Sequence, residues 1–248
     1  MRIILTRQPA QAGHIEAGLE HSGYSIAFLP LTDFQLPEDT GALDAMITGL
    51  HAGRWDRLLL TSPNTIRALV ARSWDPVATE AHTVIGVTGP GTARVLHDSG
   101  ATMTPWMPNN DASAAGILAQ FPTGPGTVAL PQGAAAGDAM CTGLTQRGWE
   151  VTHAVAYHTV DYPAQPDRAL LPVEQGSLET ADVHSDDVIV LTAPSAARRW
   201  AEVAVPVRAV IAIGHPTQRA ADESNIALAA TAPSPNATGL AAVLEALD

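Results

Sequence analysis

The side chain best placed to move a proton is Tyr157, where the apolar run "VTHAVAY" ends and a proline-bearing extended stretch begins. A phenol at such a junction can donate a hydrogen bond or a proton to a leaving group. The same position suits an interfacial aromatic whose hydroxyl has found a partner. The remaining polar candidates sit in short turns that follow apolar runs. These turns are Thr6-Arg7-Gln8, Thr61-Ser62-Pro63-Asn64, Thr88-Gly89-Pro90-Gly91-Thr92, Pro131-Gln132-Gly133, Thr192-Ala193-Pro194-Ser195 and Gly214-His215-Pro216-Thr217. They read as helix starts, with Ser62 or Gly89 as N-cap and Pro63 or Pro90 as the first helical residue. A helix start offers free backbone N–H groups and a partial positive charge, which suits carboxylates or phosphates. One such turn alone is ordinary helix punctuation; six of similar form call for a ligand.

Other chemistries lack their residues. The nine histidines show no H-x-H or H-E-x-x-H spacing. His153 and His158 lie five apart on an expected strand and so face opposite ways. "PQGAAAGD" follows a strand but lacks the full G-x-G-x-x-G of a dinucleotide loop. There is no G-x-S-x-G elbow and no P-loop lysine. The net charge of −12 argues against nucleic acid or an anionic membrane reached by bulk electrostatics. A local pocket can still be positive. The single cysteine, Cys141, excludes an intrachain disulfide framework and reads as a small apolar residue on a helix. Asp186-Asp187, ahead of a strand, reads as solvated. "MRIILTRQPA" is too short an apolar run for a signal peptide, and no stretch reaches the length of a membrane span. The expectation is a soluble, cytoplasmic chain.

The elements that must carry these turns repeat. "LTSPNTIRAL" (60–69) returns as "LTAPSAARRW" (191–200), and "VTGPGTARVL" (87–96) as "IGHPTQRAAD" (213–222). "DASAAGILAQF" (111–121) returns as "SPNATGLAAVL" (234–244), and "GLEHSGYSI" (18–26) as "GLTQRGWEV" (143–151). Four echoes in one order indicate duplication of a whole domain, with a period far too long for a solenoid. Strands are expected at 2–6, 57–61, 84–87, 127–131, 150–156, 187–192 and 209–213. Helices are expected at 9–22, 63–73, 91–99, 112–120, 134–147, 195–203, 216–223 and 236–247. Strand alternating with helix predicts an α/β fold of two similar domains, each a mainly parallel sheet flanked by helices. "LPLTDFQLPED" (29–39) and "YHTVDYPAQP" (157–166) break the pattern and read as paired linkers. If both are crossovers, one domain is 1–34 plus 162–248 and the other 38–158, with linkers at 35–37 and 159–161. A cut at the repeat midpoint gives 1–124 and 125–248 instead, and periodicity does not choose between them.

The chain resembles the uroporphyrinogen-III synthase family over nearly its whole length. The resemblance rests on "ILTR" (4–7), "LTSPNTIRAL" (60–69), "TGPGTA" (88–93), "SAAGIL" (113–118), "VALPQG" (128–133), "GLTQRGWEVTHAVAYHT" (143–159), "LTAPSA" (191–196), "AIG" (212–214) and "PNATGL" (235–240). Each motif is loose; their order and spacing are specific. The resemblance implies two α/β domains joined by a two-stranded connector, with the first strand–helix unit packed into the C-terminal domain. It implies cyclisation of hydroxymethylbilane to uroporphyrinogen III, with loss of water, inversion of ring D and no metal or organic cofactor. It implies a cleft that holds the substrate carboxylates on Thr6, Arg7, Ser62, Asn64, Gly89, Thr92, Gln132, Gly133, Ser195, Gly214 and Thr217. Tyr157 matches the family's tyrosine that helps the hydroxyl leave. The partners implied are the linear tetrapyrrole and, transiently, hydroxymethylbilane synthase; the expected state is a monomer.

Three positions depart from the family. Gln132 stands where an arginine is common, Ala193 where a serine is usual, and His215 displaces the proline of a glycine–proline–x–threonine pattern that Thr217 completes. The absent arginine and serine point to a competing reading, a non-enzymatic module that binds a tetrapyrrole or another polyanion. The retained Tyr157, Ser62 and Thr217 point to the synthase. A nucleotide-binding α/β protein would need a phosphate loop that the sequence lacks.

Overall fold

The structure is a computed structural model that describes residues 1–109, 114–173, 175–203 and 205–247. In chain order its elements are β1 (Arg2–Leu5), α1 (His14–His21), β2 (Ser25–Phe28), β3 (Thr32–Gln35), α2 (Gly41–His51), β4 (Arg57–Leu60), α3 (Pro63–Ala71), α4 (Pro76–Glu80), β5 (Val84–Val87), α5 (Pro90–Asp98) and α6 (Ala114–Gln120). There follow β6 (Gly126–Gly133), α7 (Ala139–Gln146), β7 (Trp149–Asp161), β8 (Val188–Leu191), α8 (Pro194–Val203), β9 (Ala209–Ala212), α9 (His215–Glu223), β10 (Ala230–Thr231) and α10 (Ala237–Leu244). The chain forms two compact units. The first comprises Met1–Asp33, Val160–Gln165 and Leu171–Asp248; the second comprises Phe34–Thr159 and Pro166–Leu170.

Each unit holds one five-stranded sheet. The order in the first is β10-β9-β8-β1-β2, and in the second β3-β7-β6-β4-β5. The pairs β1–β2, β1–β8, β8–β9, β9–β10, β4–β5, β4–β6 and β6–β7 are parallel. The central strands are buried on both faces and so read as continuous aliphatic runs. "VIVL" in β8 and "AVIA" in β9 have no accessible side, which is the signature of a parallel sheet covered by helices.

The sheets carry the duplication in exchanged form. The repeats align β1-α1-β2 with β6-α7-β7, and β4-α3 with β8-α8. The first sheet therefore joins β1 and β2 of one copy to β8, β9 and β10 of the other. The second joins β6 and β7 to β4 and β5. A parallel bridge from Gly86 to Trp106 stands where the first sheet has β10.

Several elements depart from expectation. The helix expected over 9–22 is a 3-10 turn at Pro9–Gln11 and then α1, because the chain is extended at Ala12 and non-helical at Gly13. Residues 112 and 113 of the helix expected over 112–120, and Ser113 of "SAAGIL", lie outside the described residues; helix covers Ala114–Gln120. The helix expected from 134 begins at Ala139. Within the expected linkers, Thr32–Gln35 forms β3, and β7 runs on to Asp161 as its neighbour in the second sheet.

Two helices and two short strands were not anticipated. In α2, Leu43, Met46, Ile47 and Leu50 form a buried stripe at helical spacing. The five-residue α4 is capped by Asp75, whose carboxylate accepts from Val77 and Ala78 N–H. β10 has only two residues, and β2 is an edge strand with no fully buried position, so it lacks the aliphatic run that marks the central strands.

Asp187 is the clearest correction. Its carboxylate is 2% exposed rather than solvated. Arg2 holds it through Nε at 2.7 Å and Nη2 at 2.6 Å, and His184 N–H donates to it at 2.7 Å. The two carboxylate-directed bonds from Arg2 fix the start of β1 beside the start of β8.

Candidate functional site

Five of the six turns expected to bind follow the carboxyl ends of parallel strands, the usual ligand edge of such sheets; Pro131-Gln132-Gly133 is instead the last stretch of β6, paired with β7, and no helix starts there. In the second unit the sequence builds the edge as follows. Three buried leucines, Leu58 to Leu60, bring β4 to Thr61, and Ser62 then adopts an extended backbone. Ser62 Oγ accepts from Asn64 N–H at 3.1 Å, and Pro63 occupies the first helical position. The opposite face of α3 buries Ile66, Ala68 and Leu69, which ties the cap to the core.

Tyr157 reaches this cap. Its hydroxyl donates to Ser62 Oγ at 3.2 Å, across 95 residues of sequence. The pairing of β6 with β7 shifts register at this point: Gln132 faces Val155 but Gly133 faces Tyr157. The extra residue, Ala156, re-aims the strand, a common use of a bulge beside a site. Gly133 completes the fit. A Cβ there would lie 2.7 Å from Tyr157 Cζ and 2.9 Å from its Oη, so only glycine leaves room for the ring. Phe34 stacks edge-on against Tyr157 at a centroid distance of 5.8 Å.

Asn64 is buried, and its Oδ1 accepts from Arg67 Nη1 at 2.7 Å. That bond turns the guanidinium back toward the start of α3. No carboxylate pairs with Arg67 among the described residues. Burial and the like charge of Arg94 lower its pKa from the ordinary value, so the cation sits where an anion would be welcome. Arg67 was missed in the sequence, where the available signal was its three-residue spacing from Asn64 on one helix face.

Thr88, Gly89 and Thr92 form the next turn. Gly89 is the N-cap of α5 and its carbonyl accepts from Thr92 and Ala93 N–H. The hydroxyls of Thr88 and Thr92 lie 3.4 Å apart, with Thr92 buried. Gln132 is further along the edge, 4% exposed, and its Oε1 has no partner among the described residues. Gln132 is one of the residues lining a cavity of about 230 Å³, with Thr61 and Thr88.

The first unit places its candidates differently. Thr6 is buried and locks strand ends: its Oγ1 donates to the Val190 carbonyl at 3.2 Å and accepts from Thr192 N–H at 3.1 Å. Arg7 is an ion pair with Glu16, Nε to Oε1 2.7 Å, so its charge is already engaged. Gly214 caps α9, and its carbonyl accepts from Thr217 and Gln218 N–H. Gly214, His215 and Thr217 line a cavity of about 400 Å³ walled by Pro194, Pro216 and Pro233. Ser195 is half-buried in the first turn of α8. Ala193, which stands where Ser62 caps α3, has no side-chain acceptor to offer α8.

The structure thus gathers Ser62, Asn64, Gly133 and Tyr157 into one contact set, and Gln132 with Thr88 into one cavity. Gly214 and Thr217 share a second cavity within the first unit. No group of three or more His, Cys, Asp or Glu side chains suited to a metal occurs among the described residues, and no described helix is long and apolar enough to cross a membrane.

The family model "Uroporphyrinogen-III synthase HemD" matches residues 13–242. A chloroplastic uroporphyrinogen-III synthase of Oryza sativa subsp. japonica is 28% identical over 231 residues, covering 88% of this chain and 71% of that protein. The crystal structure of uroporphyrinogen-III synthetase from Helicobacter pylori 26695 superposes with a TM-score of 0.61 at 17% identity, over 100% of both chains. A mutant uroporphyrinogen III synthase from the extremely thermophilic bacterium Thermus thermophilus gives a TM-score of 0.59 at 18% identity, over 100% of this chain and 98% of that one. At these identities the two structures speak to the fold.

Proposed function

The chain belongs to the uroporphyrinogen-III synthase family, and on that premise we propose that it converts hydroxymethylbilane to uroporphyrinogen III, with Tyr157 as the group that helps the hydroxyl leave. The observation that carries the reading is the Tyr157–Ser62 hydrogen bond at the ligand edge of the second sheet. A phenol held by a cap serine, a backbone bulge and a facing glycine is aimed, and orientation is what this chemistry needs.

The reaction begins at ring A of the bilane. Its pyrrole nitrogen pushes electrons toward the hydroxymethyl carbon, the C–O bond breaks, and the departing oxygen takes a proton to leave as water. Tyr157 turns its one hydroxyl proton from Ser62 Oγ to that oxygen, with the Ser62 hydroxyl donating to the phenol in exchange, and so lowers the barrier to departure. The azafulvene left behind is attacked by the substituted carbon of ring D, giving a spiro intermediate. Fragmentation and reclosure, with loss of a proton, yield the inverted isomer. The bilane also closes unaided without inversion, so the protein must impose a conformation.

The carboxylate arms find support in the same features. Arg67 brings a cation without a carboxylate partner among the described residues, and Ser62, Asn64, Gly89 and Thr92 line helix starts in the second unit. Ser195, Gly214 and Thr217 offer the corresponding turns in the first unit. Arg7, engaged by Glu16, contributes less charge than its type suggests. We take residues 1–34 plus 162–248 and residues 38–158 as the two domains, linked through 35–37 and 159–161. The working state is a monomer in the cytoplasm that meets hydroxymethylbilane synthase transiently, a reading supported by the instability of the bilane and by a single cysteine that needs no oxidising compartment.

Gln132 and Ala193, which lack the charge and hydroxyl usual in the family, favour a second reading: a tetrapyrrole- or polyanion-binding module without turnover. Enzymatically generated hydroxymethylbilane, supplied to the folded protein, separates the two. Type III porphyrinogen above background supports the synthase, and binding with type I alone supports the module.

A further inference from the structure

We propose that Arg67 of α3 and Arg94 of α5 together seat one carboxylate arm of the tetrapyrrole. This rests on the tetrapyrrole reading above and names the cations that the ligand meets. The first observation is positional. Arg67, Arg94, Arg198 and Arg219 are each the fifth residue of a helix that follows a candidate turn: α3, α5, α8 and α9. Among the described residues, none of the other six α-helices has an arginine at that place. The fifth residue lies about 6 Å along the axis from the first, and helix side chains lean toward the N-terminus. An arginine there can bring its guanidinium back to the start of its own helix. Arg67 does so, donating to the buried Asn64 Oδ1 at 2.7 Å.

The second observation is what these arginines lack. Five of the other arginines pair with a carboxylate. The remaining four donate to a carbonyl or lie over an aromatic ring. Among the described residues the Arg94 side chain has no such partner, and Arg67 has only the neutral amide of Asn64. With 25 acidic residues against 13 basic ones, partners for these cations are not scarce in the chain as a whole. The third observation is nearness. α3 and α5 pack against each other. Burial, and then the charge of Arg94, lower the pKa of the half-buried Arg67. Two cations drawn together without an acid repel, and an anion between them removes that cost. α3 has no acidic residue to take the place. A carboxylate suits it, because paired guanidinium N–H groups match its two oxygens. Both side chains are accessible to a ligand, Arg94 fully and Arg67 in part.

Four variants test the seat. Arg67→Gln and Arg94→Gln each remove a charge, and Arg67→Lys keeps the charge without its fork. Arg54→Gln removes a charge just before β4, at the opposite end of that strand from the Thr61 turn. Binding of anaerobically handled uroporphyrinogen III is measured by calorimetric titration at pH 7, beside thermal melting of each variant. The expected result is about tenfold weaker binding by Arg67→Gln, the size of one charge-assisted hydrogen bond. Exposed Arg94→Gln should weaken it by about threefold. Arg67→Lys should bind more tightly than Arg67→Gln, and Arg54→Gln as wild type does. Unchanged binding by Arg67→Gln overturns the proposal. Equal loss in Arg54→Gln also overturns it, since net charge alone then draws the ligand. In protein labelled with ¹⁵N-arginine, the side-chain N–H signals of Arg67 and Arg94, assigned with Arg67→Lys and Arg94→Gln, should move on titration while that of Arg54 stays. Signals of Arg67 and Arg94 that do not move overturn the proposal even where Arg67→Gln does not fold. Wild type that binds normally beside an unaffected Arg67→Gln sinks this proposal alone, whereas wild type that binds no tetrapyrrole sinks the reading above with it.

Discussion

Tyr157, Ser62 and Gly133 act as one device. The phenol is held by a hydroxyl that also caps α3, and a glycine leaves the ring its space. Tyr157→Phe removes only the donor, so turnover should fall by about 10²-fold or more while the melting temperature stays near wild type. An unchanged rate would remove Tyr157 from the mechanism. Gly133→Ala retains the phenol but drives it aside. Displacement of a positioned group by about 1 Å costs on the order of 10²-fold in rate. Kinetics should therefore show a large loss with about 1–3 kcal/mol of destabilisation from overpacking, and a normal rate would show that the ring's position is unimportant. Tyr157 and Ser62 were legible in the sequence as a strand end and a helix cap. Their mutual contact was not, because a register shift between β6 and β7 decides which way residue 157 points. Sequence periodicity assumes an unbroken alternation, and a bulge is the exception to it.

Among the elements, the start of β1 depends on the Arg2–Asp187 pair. Hydrogen bonding from Arg2, opposed by burial and aided by His184 N–H, holds the Asp187 carboxyl below its usual value. A depressed carboxyl contributes stability that is fully present above its unfolded pKa of about 3.9. That contribution is lost as pH falls through the lower folded value. Thermal melting between pH 7 and pH 2 should therefore show a fall below about pH 4 that is shallower in Asp187→Asn. Identical pH profiles would mean the pair does not couple folding to protonation. Arg2→Ala strands a buried carboxylate and should cost about 3–5 kcal/mol at neutral pH, as read from denaturant unfolding.

The elements themselves were unevenly legible. Helices with caps and a clear stripe, such as α3 and α5, matched expectation to within two residues. The stripe of α2 at Leu43, Met46, Ile47 and Leu50 was present but overshadowed by the prolines before it. Only tertiary pairing makes strands of β2 and β10; β10 has two residues, and β2 lies at a sheet edge with no fully buried side chain to signal it. Asp187 reads as a surface acid from its neighbour Asp186, and only its partner 185 residues away shows otherwise.

For the whole molecule, duplication explains why the turns recur and why each sheet is a composite of both copies. The echoes exposed the two copies, but no periodicity tells which strand crosses to which sheet; the pairing of β1 with β8 and of β4 with β6 does. Helix starts recur along both sheets and suit a ligand with many carboxylates, yet only the second unit keeps the serine cap and carries the tyrosine. The copies differ: one carries the Tyr157–Ser62 contact, and the other has Ala193 at the position of Ser62. The decisive measurement supplies enzymatically generated hydroxymethylbilane to the purified, folded protein and identifies the porphyrin isomer after oxidation. Type III in excess of the spontaneous background is the expected result; type I alone would contradict a catalytic role.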